Sequence, residues 1–141
     1  MKLFLVIFFI TCGVICGQDK SENEQVKYTI DNCVTYFNPD EVDSTKVGWQ
    51  FWFVDKKFAD GFTLKMSNVE AKKATHPPHA HQEDEIFYVV EGKAEFILGD
   101  EKKTGGPNSS FYCPTGVPHG IRNIGDGVLK YLVIKTYLNV K

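Results

Sequence analysis

From Tyr28 onward the apolar residues come in short runs, rich in Val, Ile, Phe and Tyr, broken by Gly, Pro, Asn and Asp. That is the pattern of strands joined by turns, not of amphipathic helices. Strands are predicted over 47–54, 62–69, 85–90, 93–98, 110–113, 119–123 and 129–137. Between them lie turn sequences: Glu91-Gly92, Gly99-Asp100, Gly105-Gly106-Pro107 and Gly125-Asp126-Gly127. Residues 40–46 read as a helical turn. No stretch sustains a 3.6-residue period, and no repeat or linker divides the chain. The expectation is one all-β sandwich or barrel.

The N-terminus follows another rule. Lys2 is followed by an apolar run through Cys16 that ends at Gly17-Gln18-Asp19. At about 14 apolar residues it is shorter than the ~20 a spanning helix needs, and its layout is that of a secretory signal peptide. The predicted division is a signal peptide at 1–17, an N-terminal arm and leading strand at 18–45, and the barrel at 46–141. The expected location is secreted or periplasmic, with no membrane association after cleavage.

Composition narrows the partners. The 141 residues carry 16 Lys+Arg against 18 Asp+Glu; removing residues 1–17 takes away Lys2 and leaves a net charge of −3. A chain so balanced lacks the basic face that nucleic-acid binding requires. Arg122 is the single arginine, so no multi-arginine anion clamp can form. No phosphate-binding loop or nucleophile elbow is present. Cleavage also removes Cys12 and Cys16. Cys33 and Cys113 remain, either as a disulfide in an oxidising compartment or as two buried thiols. Asn108-Ser109-Ser110 is a glycosylation sequon, relevant in a eukaryotic host.

The four histidines all lie between His76 and His119. His79 and His81 are two apart, so in an extended chain both imidazoles leave one face, and Glu85 is a further even step along. A second cluster, Cys113-Pro114-Thr115-Gly116-Val117-Pro118-His119, sets His119 after a tight turn at the start of a strand. Barrel closure would bring the clusters together, giving three imidazoles and a carboxylate. Such a set suits one divalent first-row metal and leaves one or two positions for water or substrate.

Both clusters resemble the two signature motifs of the cupin superfamily. In the first, His79-x-His81, three residues, Glu85, six residues and Gly92 match, with Lys73 where the pattern has a leading Gly. In the second, Pro114-x-Gly116, two residues, His119, three residues and Asn123 match, with Asn108 at the leading Gly position. The resemblance implies a double-stranded β-helix, or jelly-roll barrel, with His79, His81, Glu85 and His119 as ligands to Mn, Fe, Zn, Ni or Cu. It implies no particular reaction, because this scaffold carries dioxygenases, decarboxylases, lyases, isomerases and non-catalytic binders. The expected function is a secreted metal-dependent enzyme acting on a small oxygen-bearing molecule; the alternative is a non-catalytic small-molecule or sugar-binding protein.

Alternation places Phe87, Val89 and Ile121 on the pocket lining and turns Arg122 away. Ile86, Tyr88 and Val90 then need cover, either from the N-terminal strands or from a second subunit; small cupins, which the chain resembles, are often homodimers, so the second is an alternative to be tested. Glu85 doubles as a catalytic base if it leaves the metal, with His76 the weaker second candidate and more simply an exposed loop histidine. Glu83 and Asp84 read as solvated turn residues, Asp84 steering the turn. Trp49-Gln50-Phe51-Trp52-Phe53 is a carbohydrate platform or, more simply, a strand with aromatic contacts on both faces.

Overall fold

The structure, a computed structural model, describes residues 27–137; the proposed signal peptide and residues 18–26 of the arm lie outside the described residues. The elements are a helical turn α1 (Ile30–Cys33), a 3-10 turn (Pro39–Glu41), and strands β1 (Asp43–Thr45), β2 (Gly48–Val54), β3 (Phe62–Val69), β4 (Glu85–Glu91), β5 (Ala94–Leu98), β6 (Glu101–Gly105), β7 (Ser110–Cys113), β8 (His119–Asn123) and β9 (Leu129–Thr136). They form a six-stranded sheet, β1-β2-β3-β9-β4-β7, and a three-stranded sheet, β6-β5-β8. Every named pair is antiparallel. This is the predicted all-β jelly-roll barrel.

The alternation of β4 shows why the sheets close on each other. Glu85, Phe87 and Val89 are buried while Ile86, Tyr88 and Val90 are exposed. Phe87 and Val89 join Val69, Ala94, Phe96, Ile121, Leu129, Tyr131 and Val133 in one core between the sheets, each large side chain contributing about 1.5–3 kcal/mol on burial. Gly92 ends the first motif at φ 92°, and a Cβ there would overlap the Val128 carbonyl oxygen, so the motif demands glycine at this turn. Asn108 replaces a motif glycine yet adopts φ 65°. Asparagine tolerates the left-handed region better than most residues, and the loop keeps its course.

Three elements differ from the sequence reading. The helical turn expected over 40–46 is a 3-10 turn at Pro39–Glu41 followed by β1. The Asn38 side chain caps that turn by accepting from the Asp40 N–H at 3.1 Å. β6 was not expected: its Glu-Lys-Lys-Thr sequence carries no apolar alternation, and as an edge strand exposed along most of its length it needs none. α1 is a single turn closed by a Thr29/Asn32 capping box. The aromatic run of β2 is a strand in contact on both faces. Phe37, from the N-terminal segment, stacks on Trp49 at 5.3 Å and meets Phe51 edge-on at 5.3 Å, while the Trp52 ring lies 5.1 Å from the Lys65 ammonium.

Candidate metal centre

One loop and the starts of two strands carry the predicted ligands: His79 and His81 on the loop before β4, Glu85 at the start of β4 and His119 at the start of β8. His79 forms a two-way backbone bridge with His119, each N–H donating to the other's carbonyl at 3.0 Å. The loop before β4 is thereby joined to the start of β8 through main chain alone. Asp84 provides a second tie. Its Oδ1 accepts from the Tyr112 hydroxyl at 2.9 Å and from the Thr115 N–H and hydroxyl at 3.2 Å each, and these bonds, Tyr112 first, hold the Asp84 carboxyl below its ordinary pKa. Asp84 thus locks the two motif loops together, a larger part than steering one turn.

The donor atoms converge. His81 Nε2 lies 3.2 Å from His119 Nε2, and Glu85 Oε2 lies 3.5 Å from the first and 3.4 Å from the second. Two ligands each about 2.1 Å from one ion, at octahedral or tetrahedral angles, are about 3.0–3.4 Å apart, so this triangle matches a shared ion. His79 completes a three-imidazole group with His81 and His119 whose donor atoms all fall within 4.8 Å of one another. His119 is fully buried, and its Nδ1–H donates to the Val117 carbonyl at 2.8 Å. That bond assigns the proton to Nδ1 and leaves the Nε2 lone pair aimed at the cluster. His79 is exposed overall, yet partial desolvation, and after it the imidazoles of His76, His119 and His81, holds its pKa below the ordinary histidine value. The neutral, ligating form is favoured. Glu85 is 8% exposed, and its carboxylate meets the two imidazole tips. A carboxylate buried against two imidazole nitrogens is a setting that a shared cation stabilises. The donor set fits a divalent transition metal.

Glu83, expected to be solvated, is half-buried. Its Oε2 sits 3.5 Å from His81 Nδ1 and 3.7 Å from Lys135 Nζ. Cys113, expected as a disulfide partner of Cys33 or a buried thiol, pairs with Glu85 across β4 and β7, and its sulfur is within 4.8 Å of the Glu85 and His119 donor atoms. Burial, with the Glu85 charge second, pushes the Cys113 thiol up to about 12. Cys33 is exposed and both cysteines are free. In protein lacking residues 1–17, one thiol per chain should react with a disulfide reagent under native conditions and two after denaturation. Two fast-reacting thiols in the native protein would contradict the burial of Cys113.

A cavity of about 280 Å3 opens onto Glu85. Phe87, Tyr131 and Val133 form its apolar wall, Ser67, Thr75 and Gln50 supply polar groups, and Lys46, Lys65 and His76 also reach it. Phe87 therefore lines the pocket as expected. Val89 does not: two residues further along β4 it is fully buried in the core. Ile121 is buried and lines a neighbouring cleft with His76, Pro77 and Pro78. Arg122 is exposed and stands at that same neighbouring cleft, not among the residues that line the cavity at Glu85. His76 is exposed, its ring 4.3 Å from that of His79. Lys65 escaped the sequence reading, although inward positions in the Thr63, Lys65, Ser67, Val69 alternation of β3 were the available signal.

A family model described as cupin domain matches residues 66–135, which span β3 from Met66 through most of β9 and contain every donor named above. Among curated proteins, the dimethylsulfoniopropionate lyase DddQ of Ruegeria pomeroyi is 35% identical over 48 residues, covering 33% of this chain and 24% of that protein. An uncharacterized protein of Methanocaldococcus jannaschii is 38% identical over 55 residues, covering 38% and 44%. The chain thus spans less than half the length of either relative. Among solved structures, the polyketide cyclase RemF of Streptomyces resistomycificus superposes with a TM-score of 0.62 at 24% identity over 73% of this chain and 79% of that one. A cupin 2 conserved barrel protein from Salinispora arenicola gives 0.61 at 15% identity over 72% and 86%. These likenesses establish the barrel.

Proposed function

The chain belongs to the cupin superfamily, and on that premise we propose that it is a secreted, metal-dependent enzyme acting on a small oxygen-bearing molecule. In this reading His79, His81, Glu85 and His119 hold one divalent transition ion. The observation that carries the reading is the 3.2–3.5 Å triangle of His81, His119 and Glu85 donor atoms, with the His119 tautomer already set. Bound there, the ion would polarise a substrate carbonyl or lower the pKa of a water ligand. The protein's own contribution is to orient the imidazoles, to give the chamber an apolar wall of Phe87, Tyr131 and Val133, and to offer Glu85 as a proton acceptor when it leaves the ion. His76, at the cavity edge, is the second proton-transfer candidate.

Export follows from the 1–17 segment, and a homodimer from the outer face of β4, where Ile86, Tyr88 and Val90 are 37%, 38% and 45% exposed. The metal-loaded protein is expected to turn over at least one member of a panel of catechols, flavonols, oxalate, diketones and sugars, assayed with and without oxygen. Binding without turnover across the panel would leave the non-catalytic binding protein as the function, and a sedimentation mass of one chain would remove the dimer.

A further inference from the structure

The cavity beside Glu85 contains a cation that metal binding leaves unused. Lys65 points inward from β3 and is half-buried. Its ammonium donates to the neutral Gln50 amide oxygen at 3.1 Å, and its nearest aromatic face is the Trp52 ring at 5.1 Å. Among the described residues no carboxylate oxygen comes within 4.0 Å of it, whereas Lys135, also half-buried, has Glu83 at 3.7 Å. Burial draws the Lys65 pKa below the ordinary lysine value, with the Glu85 charge acting the other way. Committing Glu85 to an ion would cancel that support. A partly desolvated ammonium facing an open cavity, with only an amide and a ring face for partners, is stabilised by whatever anion enters. Lys46 lines the same cavity at an exposed position and sets a second ammonium at its rim.

The geometry points to Lys65 as the anchor for the carboxylate of a small organic acid bound in this cavity, making the substrate class of the Glu85 site a carboxylic acid and not a neutral sugar or phenol. The inference rests on the cavity being the substrate chamber of the proposed metal site. Its volume, about 280 Å3, lies at the lower edge of ligand pockets, which run about 300–1,000 Å3, so the acid is short. Phe87, Tyr131 and Val133 suit its carbon skeleton. A single ammonium without an anionic partner matches the one charge of a carboxylate end, whereas a dianionic phosphate would bring a second charge that this wall does not compensate.

Calorimetric titration tests this with pyruvate and lactate against their neutral counterparts pyruvamide and lactamide, on both metal-loaded and metal-stripped protein. Each acid is expected to bind the loaded protein about tenfold or more tighter than its amide, the scale of one charge-assisted hydrogen bond. Lys65→Met and Lys65→Gln should erase that preference while leaving metal content and amide affinity within about threefold. Two variants guard against one misfolding, and Lys46→Gln should have the smaller effect of a rim charge. Equal affinity for acid and amide, a preference that survives both Lys65 variants, or tighter binding of inorganic phosphate than of either acid would each overturn the inference. If the protein takes up no metal but the stripped form still prefers acids through Lys65, the metal reading fails and the anchor stands.

Discussion

The His81→Ala, His119→Ala double variant is expected to lose its metal. Purified wild-type protein should carry close to one transition ion per chain, and the variant less than about a tenth of that at the same free-metal concentration. Binding free energies for four-ligand sites run about 10–16 kcal/mol, so deleting two donors should weaken affinity by about a thousandfold or more. The prediction is sharp because these two nitrogens form the shortest edge of the donor triangle, 3.2 Å. His119 is fully buried, so its removal also opens a cavity, and Glu85→Gln supplies a control that preserves volume while removing the charge. Unchanged metal content in the folded double variant would sink the ligand assignment.

Asn123→Ala should be among the most destabilising single substitutions in the barrel. The side chain is fully buried. Its Nδ2 lies 3.0 Å from the carbonyls of Val69 and Glu70 and 2.8 Å from that of Gly127, and its Oδ1 accepts from the Gly125 N–H at 2.9 Å. An amide has two N–H groups, so one of the three carbonyls shares a donor. One residue thereby ties the end of β3 to the β8–β9 turn. Removing it leaves several buried backbone groups unpaired, each costing about 1–3 kcal/mol. With partial relaxation, a loss of about 3–5 kcal/mol is expected in denaturant unfolding. Asn123→Asp should do no better, since it turns a carboxylate toward three carbonyl oxygens. A loss under about 1 kcal/mol would show that water takes over the bonds.

The fold and the donor set were legible because both are written in period two. Phe87 and Val89 alternate with Ile86, Tyr88 and Val90, and the same alternation keeps His79, His81 and Glu85 in phase before any strand partner is known. Asn123 was visible as a motif position, but its four contacts were not, since Val69 and Glu70 come to it only when the barrel closes. The same limit hid Lys65 and Glu83. A lysine or glutamate is ordinarily a surface residue; sheet pairing turns Lys65 toward the cavity at Glu85, and the bend before β4 sets Glu83 beside His81. β6 was missed because nothing in Glu101-Lys102-Lys103-Thr104 distinguishes an edge strand from a loop. Val89 was placed in the pocket because alternation assigns a face but not the depth at which the cavity ends.

The backbone bridge between His79 and His119 bears on how an ion would come and go. The loops that carry the donors are held by their own main chain and by Asp84, so the ion is not the rivet that joins them. On the proposed reading, one ion would depart and another take its place without the barrel opening. Occupancy would then follow the supply of metals in the surrounding fluid and the rates of exchange, and a chain exported as proposed would carry the ion of its destination in preference to the one it met during synthesis.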